Sequence, residues 1–467
     1  MMTKKPIEPF RIKVTEPISL LSEKERIKKI EEAGYNIFKI RAEDIFIDLL
    51  TDSGTGALSQ NQWAGLMVGD ESYACGRNWY HFEEIVKDIF QKEFVLPCHQ
   101  GRVAENILFS TLLKKGDYVP NNTHFDTTRA NTMHKGGIPL DLPCEEIDKD
   151  DSDFRFKGNF DTEALEDLIK RVGPDKIPLV IITITNNSAG GLGVSMENIR
   201  EVRSICDRYG IPMFFDAARF AENAFFIKKF EPEFKNHTIK AIAQEMLGYA
   251  DGAMMSAKKD GLSNMGGFLV VNDEGLAGRL KELLILIEGF PTYGGLSGRD
   301  LEAIAIGLKE ALNEDYLEYR TGQIAYFGEI LTQAGVPIIT PTGGHAVFID
   351  AGKMLPHIAP KHFPGQSLTV ELYRKGGVRA VEIGSLMFGG ADPNTGKKLT
   401  AKKESVRLAV PRRMYTASHL EYVADIAAEI VKTKEKLHGY KIVQEPKYLR
   451  HFTCVLKEMT EDFAKVL

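Results

Sequence analysis

Two short segments carry the side chains best suited to chemistry. In ADGAMMSAKKD an apolar run ends at Lys258 and Lys259, and in FFDAARF another apolar run ends at Asp216 and Arg219. A lysine at the end of a buried strand is costly unless it has a partner or loses its proton, and covalent binding of a carbonyl cofactor is one use for it. An aspartate at a strand end suits a protonated pyridine nitrogen. Together the segments predict a pyridoxal phosphate site.

A third segment has the features of a phosphate-binding turn. Gln100, Gly101 and Arg102 follow the apolar run FVLP and precede the apolar residues of a predicted helix. A glycine, a helix N-terminus and an arginine together favour a bound phosphate. Ordinary structural alternatives exist for all three segments: a solvated lysine pair, an aspartate that caps a helix, and a simple turn.

Composition limits the classes of protein to consider. The chain has 467 residues, of which 43% are hydrophobic and 27% charged, and a formal net charge of −6. These values are typical of a globular protein of two or three domains without a basic surface for nucleic acid. The sequence has no apolar run long enough for a membrane span or a signal peptide. Its five cysteines lack CxxC spacing, which favours a reducing cytoplasm, and its histidines lack the spacing of a zinc site.

The order of the predicted elements favours an α/β fold with a mostly parallel central sheet. Residues 178–185 (PLVIITIT) are apolar and β-branched, as in a strand that is buried on both faces. Ser195 then caps a predicted helix, and residues 211–215 predict the next strand. We expect two further strands at 253–256 and 267–271, which would complete a sheet covered by helices.

Beyond residue 309 the pattern changes to long charged helices, predicted at 309–334 and 418–438, between short strands. Near the N-terminus, SEKERIKKIEEA predicts a helix with Ser22 as its N-cap and Glu25 in a capping box. We therefore divide the chain into an N-terminal arm (1–18), the N-terminal part of a small domain (19–46), a large cofactor-binding domain (47–312) and a small C-terminal α+β domain (313–467).

Motifs along nearly the whole chain resemble one family. They are PFRI, IDLLTDSGTGA, GDESYACG, HQGR, FDTT, SAGG, DAARFAENAFFIK, MSAKKD, PTYGG, GGHAVF, VRAVEIGS, RLAVPR and EPKYLRHFT. These motifs resemble the β-eliminating amino-acid lyases, whose members act on tryptophan or tyrosine. The resemblance implies pyridoxal phosphate as cofactor and fold type I, the aspartate-aminotransferase-like fold. It also implies a homotetramer with shared active sites and dependence on a monovalent cation such as K⁺.

The resemblance also assigns roles in the cofactor site. Lys259 is expected to carry the cofactor aldehyde, and Asp216 to keep the pyridine nitrogen protonated. The other expected cofactor contacts are Gln100, Gly101, Arg102 and Ser256 at the phosphate, Phe125 on the ring face, Arg219 and Asn187 near the 3′-oxygen, and Lys258 beside Lys259.

Further roles concern the substrate and the cation. Arg407 and Thr51 are expected to bind the substrate carboxylate, with Asn187 close to it. Tyr73 resembles the family tyrosine that reaches a neighbouring subunit, either as the acid that protonates the leaving group or as a residue that positions the cofactor. The resemblance assigns the cation to Glu71 and to the carbonyl groups of Gly54 and Asn264, for which ordinary hydrogen bonding is the alternative.

Three positions favour tryptophan over tyrosine as the substrate. Ile383, with Val381 as part of the same apolar wall, stands where the tyrosine-cleaving members carry an arginine. Asp126 could accept the indole N–H, and His451 stands where the other members have phenylalanine. The predicted reaction is β-elimination of L-tryptophan to indole, pyruvate and ammonium, with Lys259 as the base. The alternatives are tyrosine cleavage to phenol, a general β-lyase for S-substituted cysteines or serine, and a non-catalytic scaffold on the same fold.

Three segments depart from the family pattern. HQGRVAE has Val103 in place of a glycine, SAGGLGVS contains Leu192 and Gly193, and GGLSGRD is closer to the tyrosine-cleaving version. None of these changes removes a group with a chemical role. We therefore expect them to alter rates and affinities and to leave the reaction unchanged.

Overall fold

Helices and strands alternate along most of the chain. The computed structural model describes residues 5–149, 152–187, 189–391, 398–446 and 449–459. The helices are α1 (Glu23–Glu32), α2 (Gln60–Val68), α3 (Arg77–Phe90), α4 (Gly101–Leu112), α5 (Asp126–His134), α6 (Thr162–Val172), α7 (Met196–Tyr209), α8 (Phe220–Phe230), α9 (Ile239–Gly248), α10 (Glu274–Ile287), α11 (Gly298–Ala311), α12 (Glu314–Gln333), α13 (Ala351–Met354), α14 (Pro364–Gly376), α15 (Ser385–Phe388) and α16 (Ala417–Thr433).

The strands follow the same chain order. They are β1 (Ile47–Asp48), β2 (Phe94–Cys98), β3 (Tyr118–Asn121), β4 (Ile138–Asp141), β5 (Val180–Thr183), β6 (Met213–Asp216), β7 (Gly252–Ser256), β8 (Gly267–Val271), β9 (Ala346–Asp350), β10 (Val378–Arg379), β11 (Val381–Ile383), β12 (Gly390–Ala391), β13 (Lys398–Leu399), β14 (Ser405–Ala409), β15 (Tyr440–Gln444) and β16 (Val455–Glu458). Within the described ranges, no helix combines the length and the apolar character needed to cross a membrane.

Two units divide the chain. The small unit consists of Met1–Asp52 and Gly322–Leu467, and the large unit is Ser53–Thr321. Both the N-terminal and the C-terminal parts of the chain thus belong to the small unit, while one continuous segment forms the large unit. Residues 5–18 contain no helix or strand and are mostly exposed.

A seven-stranded sheet forms the centre of the large unit, in the order β2-β8-β7-β6-β5-β3-β4. The pairs from β4 to β7 are parallel, while β8 runs antiparallel to both β7 and β2. The mostly parallel sheet is confirmed, but β8 is an exception to it. Parallel strands need a crossover of about a dozen residues or more, and the chain between Ser256 and Gly267 is too short for one.

Helix α7 confirms the helix predicted after Ser195. The Ser195 side chain accepts a hydrogen bond from the backbone N–H of Asn198, and the helix ends before Gly210, whose φ is 66°. Ile199, Val202 and Cys206 are fully buried in the core that also contains β5 and β6. This packing fixes β5 and β6 in register, with Thr183 opposite Asp216.

The small unit contains the antiparallel sheet β11-β14-β9 and most of the C-terminal helices. Helix α1 begins with the capping box that Ser22 and Glu25 predict. The single helix expected at 309–334 is wrong: α11 ends at Ala311 and α12 begins at Glu314. Asn313 separates them, and its side-chain oxygen accepts from the Tyr316 N–H at 2.9 Å, which starts a new helix.

Candidate active site

The candidate phosphate turn lies where β7 ends against the start of α4. Gln100 is the N-cap of α4, and Gly101 is its first residue. A side chain at Gly101 would place its Cβ only 2.7 Å from the Ser256 Cβ, and one at Gly267 would lie 2.7 Å from the Gly101 nitrogen. These close approaches require glycine, and they leave the N-terminus of α4 next to the end of β7.

Positive charge collects at the same helix N-terminus. Lys258 is half-buried. The pKa of its ammonium group is lowered mainly by this burial and to a lesser extent by the positive charge of Arg102. Lys258 and Arg102 repel each other and lie beside the positive N-terminus of the twelve-residue helix α4. A bound anion would stabilise both charges. The donors and charges at this turn fit a phosphate group.

Lys259 and Asp216 form the second part of the candidate site. Asp216 ends β6, and Lys259 follows β7, the neighbouring parallel strand. Burial raises the pKa of the Asp216 carboxyl, and the nearby charges of Lys259 and Arg219 oppose that rise. A cation bound at Asp216 would favour its charged form, so this carboxyl fits the N–H of a protonated pyridine ring.

Three further candidate residues follow strands of the same sheet: Arg219 after β6, Asn187 after β5 and Phe125 after β3. Arg219 is buried at the start of α8, and its backbone N–H donates to the Ile184 carbonyl at 3.2 Å. Asn187 is buried in the loop after β5, and Phe125 is the N-cap of α5 after β3. Because the carboxyl ends of parallel strands share one edge of the sheet, these residues belong to the edge that Asp216 occupies.

Orphaned polar groups mark this edge as a place for a polar ligand. Among the described residues, four buried side-chain atoms here make no hydrogen bond: Asn121 Nδ2, His124 Nε2, Thr185 Oγ1 and Asn186 Nδ2. Asn121 ends β3, and the other three lie in the loops after β3 and β5. Together with the phosphate turn and Asp216, they fit the polar groups of pyridoxal phosphate.

Glu105 is a site residue that the sequence analysis missed. It is buried in α4, one turn after Gly101, and accepts a hydrogen bond from Thr128 at 2.8 Å. Burial and the nearby Asp216 carboxylate raise the pKa of Glu105 to about 7. The signal was present in HQGRVAE, which places an acid among apolar residues of a predicted helix.

The small unit holds the residues expected at the substrate carboxylate. Arg407 lies opposite Val381 in the β11–β14 pair, and its guanidinium donates to the Leu50 carbonyl at 3.3 Å. Arg407 therefore lies beside the segment that contains Thr51. Val381 and Ile383 are 2% and 9% exposed and belong to a core cluster of this unit.

His451 also lies in the small unit. Its side chain is buried, and its ring centroid is 4.0 Å from that of Phe452 and 5.8 Å from that of Phe38. The Asn36 side-chain amide donates to the His451 carbonyl at 3.1 Å. Aromatic rings and a buried amide thus fix the position of this histidine.

Asp126 and Tyr73, both in the large unit, have contrasting environments. Asp126 is the first residue of α5, and it is buried with its Oδ1 accepting from the Thr127 N–H at 2.7 Å. Tyr73 is 72% exposed, and its ring centroid lies 5.3 Å from that of Tyr293 and 6.0 Å from that of Phe290. A hydrogen bond with Tyr293 raises the pKa of the Tyr73 hydroxyl.

Two of the three residues assigned to the cation lie together. The Asn264 side-chain amide donates to the Gly54 carbonyl at 3.0 Å and to the Gly56 carbonyl at 3.1 Å. A side chain at Gly54 would overlap Lys258, so this loop also lies against the candidate cofactor site. The Glu71 carboxylate accepts a hydrogen bond from Arg299.

Comparisons with known proteins agree with this geometry. The model of the β-eliminating lyase family matches residues 48–426. A tryptophanase from Salinibacter ruber is 52% identical over 97% of this chain and 95% of its own length. A tyrosine phenol-lyase from Pasteurella multocida is 48% identical over 96% of this chain and 98% of its own.

A solved structure shows the same fold at low sequence identity. A chain from the SepCysS–SepCysE N-terminal domain complex is 14% identical, with a TM-score of 0.54, over 84% of this chain and 96% of that one. With the matched family model and the mostly parallel sheet, this likeness identifies fold type I of the pyridoxal-phosphate enzymes. The chain belongs to the β-eliminating lyase family, whose members depend on pyridoxal phosphate for β-elimination.

Proposed function

We propose that the chain is a carbon–carbon lyase that catalyses β-elimination of L-tryptophan, with uptake of one water molecule, to indole, pyruvate and ammonium. Relatives named for tryptophan and for tyrosine cleavage are similarly close, so the choice depends on individual residues. The observation that supports tryptophan as the substrate is Asp126, a buried carboxylate next to Phe125 at the cofactor edge of the sheet. An ionised carboxylate accepts hydrogen bonds, which suits the indole N–H and disfavours a phenolate oxygen.

The residues of the large unit have defined tasks in this proposal. When bound, pyridoxal phosphate supplies the electron sink for the electron pair left at Cα. The Lys259 amine removes the Cα proton as general base. Asp216 holds a proton on the pyridine nitrogen, and Arg219 lies beside the ring oxygen. Gln100 and the start of α4 hold the phosphate against the charges of Arg102 and Lys258.

Other residues bind the substrate and protonate the leaving group. In the small unit, Arg407 and Thr51 bind the substrate carboxylate, and the apolar Val381 and Ile383 disfavour a phenol hydroxyl. Tyr73 delivers a proton to C3 of indole, which is a poor leaving group until it is protonated. A tyrosine hydroxyl, with an ordinary pKa of about 10, is protonated at neutral pH, as an acid must be, and the pKa of Tyr73 is raised further.

We also propose a homotetramer in the cytoplasm, in which Tyr73 reaches the site of a neighbouring subunit. Exposed apolar side chains occur in the same two segments: Met67, six residues before Tyr73, is 85% exposed. Leu286, four residues before Phe290, is 82% exposed, and the ring of Phe290 lies near that of Tyr73. Exposed apolar side chains of this kind are typical of a surface that another subunit covers.

The monovalent cation is a further part of the proposal. Glu71 and the carbonyls of Gly54 and Asn264 provide the hard oxygen ligands that K⁺ prefers. Because Glu71 is two residues from Tyr73, replacing K⁺ with the smaller Na⁺ should move Tyr73 and lower kcat severalfold. The measurement is the rate in the two salts at equal ionic strength, and equal rates would contradict this site.

Tyrosine cleavage to phenol is the second candidate. The segment GGLSGRD at 294–300 favours it, as do relatives named tyrosine phenol-lyase at 48% identity. Elimination from S-substituted cysteines or serine is expected as a side activity, because these leaving groups need no protonated ring. Separate incubations with L-tryptophan and L-tyrosine, with indole and phenol measured, distinguish the candidates.

A further inference from the structure

A single buried carboxyl group connects the two helices that begin at the cofactor edge of the large unit. One oxygen of Glu105, in α4, accepts hydrogen bonds from Thr128 at 2.8 Å and from Thr127 at 3.3 Å. Its other oxygen accepts from the Asn131 side-chain amide at 3.0 Å. All three donors belong to α5. Glu105 thus fixes α5 relative to α4.

The two helices carry different parts of the candidate site. Helix α4 begins at Gly101 in the phosphate turn, and α5 begins directly after Phe125, the expected ring contact. A shift of α5 along α4 would therefore move Phe125 and Asp126 relative to the phosphate turn. Tethering by Glu105 opposes that shift.

Glu105 is also close enough to Asp216, which ends β6, for the two carboxyl groups to interact electrostatically. Glu105 is buried and Asp216 is partly buried, and the negative charge of Asp216 adds to burial in favouring the neutral form of Glu105. Among the described residues, the three donors of α5 bond to Glu105, and the Cys98 thiol of β2 is close enough to interact with its charge. The positive charges of Lys259 and Arg219 also act on Asp216 and favour its ionised form. A charge on Glu105 would therefore favour a proton held near Asp216.

We propose that Glu105 is a positioning residue of the cofactor site, which tethers α5 to α4 and supports the proton that Asp216 holds on the pyridine nitrogen. This inference rests on the pyridoxal phosphate chemistry of the proposed function. It is independent of whether the substrate is tryptophan or tyrosine.

The test is the affinity of the apoenzyme for pyridoxal phosphate, measured by titration between pH 6 and pH 8 without any amino acid. The substitution Glu105→Gln keeps the size and one acceptor oxygen and removes the charge. Because ionised Glu105 attracts the bound pyridinium, the ratio of wild-type to Glu105→Gln affinity should rise about three- to tenfold from pH 6 to pH 8. Titration of free pyridoxal phosphate affects both proteins equally and cancels in this ratio.

Two further variants separate charge from tethering. Thr128→Val removes one hydrogen bond that favours the charged Glu105, so it should move the pH midpoint of the affinity change upward. Asn106→Ala removes an α4–α5 contact, the 3.3 Å hydrogen bond to Asn131, without touching a charge, and should leave the midpoint unchanged. If Glu105→Gln fails to fold, Thr128→Val still provides the test.

Two outcomes are distinguishable. In the first, the enzyme binds pyridoxal phosphate, but the ratio of wild-type to Glu105→Gln affinity does not change with pH and Thr128→Val has the wild-type midpoint. This result would overturn the role of Glu105 and leave the proposed function intact. In the second, the wild-type protein binds no pyridoxal phosphate at any pH, which would contradict the proposed function itself.

Discussion

Replacing Lys259 with alanine should lower the elimination rate by at least about a thousandfold. A positioned general base alone contributes about 10²–10⁴-fold, and Lys259 is also the expected covalent link to the cofactor. Steady-state rates with saturating pyridoxal phosphate measure the loss. Borohydride reduction of the wild-type holoenzyme should leave the cofactor attached to Lys259 in a peptide map.

Lys258→Ala is the matched control, because the two lysines are neighbours at the end of β7. Lys258 is half-buried beside Arg102, at the helix N-terminus that fits a phosphate. Its loss should weaken cofactor binding and leave most of the rate at saturating cofactor. A reduced cofactor found on Lys258, or a Lys259→Ala enzyme with near-normal turnover, would show that the two roles are reversed.

Asp126→Ala should lower indole release from tryptophan about tenfold to more than a hundredfold. The lost interaction is a hydrogen bond to a charged group, worth about 1.5–3 kcal/mol, which acts on the rate if it forms mainly in the transition state. Elimination from an S-substituted cysteine should change much less, because its leaving group has no ring N–H. The ratio of kcat/KM for the two substrates is the measurement.

Two variants refine the Asp126 test. Asp126→Asn keeps an acceptor oxygen and should lose less activity on tryptophan than Asp126→Ala does. Ile383→Arg should not by itself create efficient phenol release, because Asp126 and His451 are still present. If Asp126→Ala loses equal activity on both substrate types, Asp126 serves only to stabilise the first turn of α5, where its carboxylate accepts from the Thr127 N–H.

The fold was largely predictable because local signals agree with the packing. Ser195 and Gly210 mark both ends of α7, and the apolar run of β5 is buried on both faces. The direction of β8 was not predictable from its own residues, since a strand buried on both faces has the same pattern in either direction. Its direction follows from the short connection that precedes it.

The grouping of the candidate site residues was predictable where a residue type has few other uses. Lys259 and Asp216 stand at the ends of buried strands, where a charged side chain is unfavourable unless it has a partner. The sheet brings these two strands side by side. Glu105 was missed because its importance depends on two partners, Asp216 and α5, that are distant in sequence. The contact of Glu71 with Arg299 was likewise not visible, because it depends on the loop that leads into α11.

The most direct test of the account is the product formed from each aromatic amino acid. The purified holoenzyme, in K⁺ buffer, is incubated separately with L-tryptophan and L-tyrosine, and indole, phenol and pyruvate are measured. We expect indole and pyruvate in equal amounts from tryptophan, with a kcat/KM far above that for phenol release from tyrosine. Phenol release that equals or exceeds indole release would contradict the assignment of tryptophan and return Asp126 and His451 to structural roles.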